Sequence, residues 1–126
     1  MTAKGNIRRV LIVEDEDNIA TALEYLLERE GYDHKRIASG SEALQTIRST
    51  RPDLVLLDVM LPGVSGFDIC QTVRTDPTLG GVRILMMTAR GSATERRRGL
   101  ELGADGFIAK PFEIRALRDE VRRILG

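Results

Sequence analysis

The sequence predicts a doubly wound α/β sandwich, a parallel sheet with helices packed on both faces. Three observations carry this expectation. Short runs rich in Val, Ile and Leu recur along the chain with little alternation, as strands buried on both faces do. Segments with apolar residues at helical spacing separate them. The connections are short, and right-handed crossovers fold such a β-α alternation into a helix-covered sheet. A chain of 126 residues is long enough for one core and too short for two. One domain, residues 5–126, is therefore expected.

The strands are expected at Arg8–Val13, His34–Ile37, Leu54–Leu57, Arg83–Met87 and Phe107–Ala109. His34–Ile37 has the weakest apolar signal of the five. The first helix is marked by Ile19, Leu23, Leu26, Leu27 and Glu30 and ends at Gly31, a suitable C′ residue. Ala43, Leu44 and Ile47 mark a second helix, which ends before Pro52. A third runs from about Gly66 to Arg74, with Ser65 and Asp68 spaced for a capping box. The fourth follows Ser92, has Glu95 three residues on, and closes near Gly103. The fifth repeats Ile114, Leu117, Val121 and Ile124 at helical spacing.

Composition excludes several classes of function. One cysteine, Cys70, forbids an internal disulfide and a cysteine-only metal cage, and one histidine, His34, argues against a His-based metal site. Met1–Arg9 has no apolar h-region, so no secretory signal is expected. The apolar run Ile84–Met87 is too short to span a bilayer. Formal charge is zero but uneven: residues 1–60 hold 8 basic and 11 acidic side chains, residues 88–126 hold 9 and 6. That distribution disfavours direct nucleic-acid binding, which needs a strong positive field.

In such sheets, function sits at the C-terminal strand ends, where strand order reverses. Those ends supply Glu14 and Asp15, then Asp58, Thr88 and Lys110. Clustered carboxylates without His or Cys suit a hard, oxygen-seeking cation such as Mg²⁺. A lysine beside them is suited to hold a phosphate oxygen, and a carboxylate beside a metal can be the nucleophile of phosphoryl transfer. Each residue alone has a plainer reading, a helix cap for the Asp or a solvated loop for the Lys. Their convergence at consecutive strand ends points to one site.

Over nearly its whole length the chain resembles a response-regulator receiver domain of two-component signalling. The resemblance rests on LIVEDE (Glu14, Asp15), LVLLDVMLPG (Asp58), ILMMTA (Thr88) and FIAKPF (Lys110). It implies the (βα)5 flavodoxin-like fold with strand order 2-1-3-4-5. It also implies roles: Asp58 as phosphoacceptor, Asp15 as a direct Mg²⁺ ligand (Mn²⁺ also serving), and Glu14 acting through a water. Met60 would ligate through its backbone carbonyl. Thr88, the Ala89 backbone N–H and Lys110 would contact the phosphate. Phe107, where many relatives carry Tyr, would be the aromatic partner of the Thr88 switch. Met60 and Arg90 would border the path of a hydrolytic water. A cis Lys110–Pro111 bond is implied as well.

By the same resemblance, a histidine kinase or histidine phosphotransfer protein would donate the phosphoryl group. The fourth helix, fifth strand and fifth helix would then engage an output partner or a second copy. Asp105 is followed by Gly106 where relatives that dimerise there often carry an acidic pair, a departure from that pattern. The domain is expected in the cytoplasm, away from membranes, as a signalling module that catalyses only its own phosphorylation and dephosphorylation. Two other classes stay in view. A phosphatase using an aspartyl-phosphate intermediate usually needs a second acid where this chain has Met60. An interaction module of receiver fold that works without phosphorylation usually loses one of the residues retained here.

Overall fold

A computed structural model, describing residues 7–89 and 91–126, contains one five-stranded parallel sheet. Its strands are β1 (Arg9–Val13), β2 (Asp33–Ile37), β3 (Leu54–Asp58), β6 (Arg83–Thr88) and β7 (Gly106–Ala109), in the order β2-β1-β3-β6-β7. Counting only sheet strands, this is the expected 2-1-3-4-5 arrangement. The small strands β4 (Met60–Leu61) and β5 (Val64–Ser65) form a separate antiparallel hairpin. The helices are α1 (Asp17–Arg29), α2 (Ala43–Thr50), α3 (Gly66–Thr75), α4 (Ala93–Glu101) and α5 (Ile114–Leu125).

Two cores explain the unbroken apolar strands. Successive strand residues point to opposite faces, so Leu11, Val55, Leu57, Ile84 and Met86 enter a core with Ile47, Phe67, Val73 and Phe107. Val10, Ile12, Leu56, Leu85 and Met87 enter the other, with Leu23, Leu27, Leu117 and Val121. β3 lies mid-sheet and is buried at all of its residues. β2 is an edge strand that buries only Ile37, which is why its apolar signal is weak.

α1 ends as expected: Gly31 has φ +83°, its N–H donates to Glu28 O and the Tyr32 N–H to Leu27 O, a Schellman motif. Glu30, on the same face, accepts two bonds from Arg122 of α5, at 2.6 and 2.9 Å.

Two details differ from the sequence reading. Ser65 caps α3 by accepting from the Phe67 N–H, one position earlier than a capping box requires. Leu61-Pro62-Gly63, whose composition marks a turn, lies within the β4–β5 hairpin, whose two strands the sequence did not announce. Pro62 and Gly63 (φ +77°) occupy its turn, the residues a type II geometry favours. Two-residue strands are too short to show any period. The Lys110–Pro111 bond is cis.

Candidate functional site

Two neighbouring strands deliver the acidic cluster to one edge. Glu14 and Asp15 follow β1, and Asp58 closes the neighbouring β3. One carboxylate oxygen from each lies within 4.8 Å of the others. Lys110 arrives just after β7 and spans two of these acids: its Nζ stands 2.8 Å from Glu14 Oε1 and 3.2 Å from Asp58 Oδ2.

Glu14 is fully buried and Asp58 is 3% exposed, whereas Asp15 is open to solvent. Burial raises the Glu14 pKa; the bonds from Lys110 and the Glu16 N–H pull it back, and the Asp58 charge adds to the rise. For Lys110, burial is the largest single influence and pulls downward. The bond to Glu14 and the charges of Asp58 and Glu14 together outweigh it, and the net shift is upward. The two directions agree physically: one ammonium does not neutralise three clustered carboxylates.

That excess charge, together with the donor set, fits a divalent cation. Two oxygens on one Mg²⁺ are at most about 4.2 Å apart, twice the usual Mg–O length. Oxygens within 4.8 Å of one another are therefore at most a small adjustment, or one intervening water, from sharing an ion. Glu14 is the acid most suited to act through water, because Lys110 holds its Oε1 and the Glu16 N–H holds its Oε2 at 3.1 Å. Asp58 Oδ1 accepts from the Met60 N–H at 3.0 Å, which sets the backbone of that residue close to the acceptor.

Thr88 closes β6 and is fully buried; its hydroxyl donates to Glu95 Oε1 of α4 at 3.2 Å. Ala89 follows at the exposed edge. Phe107 is 4% exposed and packs beside α4 so closely that a Cβ at Gly99 would stand 3.0 Å from its ring. Met60 is exposed at the rim. Arg90 lies outside the described residues.

Two residues near the site escaped the sequence reading. Arg36, at the end of β2, donates from Nε to Glu14 O at 2.9 Å, and its Nη1 lies 2.9 Å from Asp17 Oδ1. It clamps the acidic loop from outside, and its Nη2 is buried without a hydrogen-bond partner among the described residues. Only the pairing of β1 with β2 brings it there, so no local pattern announced it. Glu95 was legible as a first-turn residue of α4, but its bond to Thr88 was not. Cys70 is fully buried with its thiol pushed up to about 11, mainly by burial.

The family model of the response regulator receiver domain matches residues 10–122. The chain is 44% identical over 115 residues to the DNA-binding response regulator MtrA of Mycolicibacterium smegmatis, covering 91% of this chain and 49% of that protein. It is 42% identical over 118 residues to the alkaline phosphatase synthesis transcriptional regulatory protein PhoP of Bacillus subtilis, covering 94% and 48%. The chain thus spans about half the length of these curated relatives. Among solved structures, a putative response regulator from Chloroflexus aurantiacus superposes with a TM-score of 0.89 at 43% identity, covering 94% of this chain and 98% of that one. The chemotaxis response regulator CheY4 of Vibrio cholerae gives 0.87 at 30% identity, with 94% and 98% covered. Family match, full-length structural likeness and a lysine-bridged acidic cluster at the expected strand ends agree, and the chain belongs to the response regulator receiver domain family of two-component signalling.

Proposed function

We propose that Asp58 is the phosphoacceptor of this receiver, which comprises residues 5–126. The observation carrying this reading is the position of its carboxylate. It is buried at the end of the central strand, held by the Met60 N–H and Lys110, and grouped with Glu14 and Asp15. An Asp58 oxygen attacks the phosphorus of a phosphohistidine on a histidine kinase or histidine phosphotransfer protein. The P–O bond forms as the P–N bond breaks, and that electron pair leaves on the imidazole nitrogen. Lys110 keeps its charge and takes one phosphoryl oxygen, while the Thr88 hydroxyl and the Ala89 N–H donate to others.

Asp15, Asp58, the Met60 carbonyl and Glu14 through a water would hold Mg²⁺, or Mn²⁺ in its place, and the ion would supply positive charge beside the phosphoryl group. A cleft of about 560 Å³ between α1 and the start of α5, lined by Glu16, Ile19, Ala89, Lys110 and Phe112, borders the site. It offers the donor a route in. The chain thereby catalyses its own phosphorylation and dephosphorylation, as a cytoplasmic module acting away from membranes and without touching nucleic acid itself.

Output runs through α4, β7 and α5. When Thr88 turns toward the phosphate, Phe107 shifts and alters its packing on Gly99. Arg96, Arg97, Arg98 and Arg115 are exposed on this face. Asp105 is committed within the chain, its Oδ2 accepting from Arg74 at 2.7 Å and from the Ile84 N–H at 2.8 Å. That commitment favours a different protein over a second copy as partner. Met60 offers no group to orient a hydrolytic water, and the resemblance implies that bulky Arg90 borders the same approach, so a long-lived phosphorylated state is expected.

The test is incubation with acetyl phosphate and Mg²⁺ followed by intact-mass measurement. One added phosphoryl group is expected, lost in Asp58→Ala and after chelation. Equal labelling of Asp58→Ala overturns the assignment. Absence of labelling and of any response to beryllofluoride favours a phosphorylation-independent module. Replacing Met60 by Asn and Arg90 by Glu should speed loss of phosphate, and an unchanged or slower rate refutes the gating role.

A further inference from the structure

We infer that Glu95, which accepts the Thr88 hydroxyl proton at rest, is a positioning residue whose carboxylate competes with the phosphoryl group for that proton. This rests on the reading of Thr88 as a phosphate contact.

The Thr88 hydroxyl is buried at the end of β6 and donates to Glu95 Oε1. A threonine has one O–H to give. Donation to a carboxylate is charge-assisted and gains strength where water is excluded. A phosphoryl oxygen that recruits Thr88 must therefore take this proton from Glu95. It also sets a second anion near that carboxylate.

The consequence falls on α4, because Glu95 belongs to its first turn. The Glu95 N–H is held by Ser92 Oγ at 3.1 Å, so carboxylate and backbone are tied to different places. α4 is otherwise lightly anchored. Gly99 is the only residue of the helix that is fully buried, and Arg98 rests over the Phe67 ring at 4.5 Å. The Thr88–Glu95 bond thus ties the N-terminal turn to the sheet. Its exchange for a Thr88–phosphoryl bond frees that turn. Glu95 sets how readily the phosphorylated arrangement is reached, and it transmits the change to α4 without passing through Phe107.

The experiment is a beryllofluoride titration of the full chain in excess Mg²⁺, followed by amide NMR, as a double-mutant cycle. Glu95→Ala should bind on the order of tenfold more tightly, the usual worth of a hydrogen bond to a charged group. Glu95→Gln, which keeps an acceptor and the fold, should gain less. Ser92→Ala loosens the same turn without touching the bond and should leave affinity unchanged. With Thr88→Val as background, Glu95→Ala should gain clearly less than it does in the parent, because only the relief of charge repulsion remains.

Equal gains with and without the Thr88 hydroxyl would mean that only charge repulsion was relieved, and the inference fails. It fails also if Glu95→Ala binds no more tightly, or if Ser92→Ala reproduces its gain. Failure of the wild-type chain to bind beryllofluoride, or undiminished binding by Asp58→Ala, would overturn the site reading instead.

Discussion

Lys110 Nζ and Glu14 Oε1 lie 2.8 Å apart although 96 residues separate them in the chain. The pair joins the end of β7 to the end of β1 across the intervening strands β3 and β6. It is also a buried ion pair carrying surplus acid, which decides what its removal does.

Lys110→Met should destabilise the metal-free protein by about 3–5 kcal/mol, the usual cost of stranding one partner of a buried pair. Glu14 and Asp58 would then face each other without a cation. Urea unfolding with and without MgCl₂ checks this, and added Mg²⁺ should recover part of the loss. A variant as stable as the parent in chelator would show that the pair does not hold the two strand ends together.

Arg36→Met should weaken divalent-ion binding several-fold with little change in the cores. The guanidinium fixes the Glu14 carbonyl and Asp17, so its loss lets the acidic loop wander before the ion binds. Calorimetric titration with Mg²⁺ or Mn²⁺ measures this directly. Global stability should fall only slightly, because the same substitution removes the buried, unpartnered Nη2 and the penalty of about 1–3 kcal/mol such groups carry.

Cys70 should resist thiol reagents in the native state and react on unfolding. Its thiol also makes stability depend on alkaline pH. The native pKa is raised from 9.0 to about 11, so between those values the unfolded chain has lost a proton that the native one keeps. Stability therefore falls as pH rises through that window, by up to roughly 1.4 kcal/mol per unit. The Tyr32 phenol is also raised by burial and contributes its own pH dependence, so the parent is compared with Cys70→Ala. The difference between their slopes from pH 9 to 11 is the Cys70 contribution, and identical slopes refute it.

Gly66→Ala should impair phosphorylation more than folding. A Cβ there would stand 2.4 Å from the Asp58 carbonyl oxygen and 2.8 Å from Val59 Cα, backbone atoms that cannot step aside as a side chain can. The acceptor segment must shift, and with it the Asp58 carboxylate. Acetyl phosphate labelling should slow at least several-fold while the helical circular dichroism is kept. Labelling at the parental rate would show that the segment accommodates the methyl group.

Much of this was legible in the residues themselves. β1, β3 and β6 feed two cores at once, so their apolar runs are unbroken and easily read. Asp58, Thr88 and Lys110 stand out because each ends or follows such a run. β2 was faint because an edge strand has little to bury, and β4–β5 was invisible because two residues carry no period. Arg36 and Glu95 were missed for a different reason. Their roles depend on which strands are neighbours and on how α4 lies against β6, and both are properties of the assembled sheet. The strand order itself came from resemblance to a family, since adjacency leaves no local mark.

The charged edge strand β2 has a consequence for how copies of this protein meet one another. Asp33, His34, Lys35 and Arg36 follow in succession along it, and an open strand margin is where sheets ordinarily recruit another strand. A newcomer docking there would have to strip water from ionised side chains before its backbone gained a single hydrogen bond. Charge thereby guards this margin against fibre-like growth. The opposite margin, β7, carries only Gly106, Phe107, Ile108 and Ala109 and has no such guard of charge; its shortness is its defence.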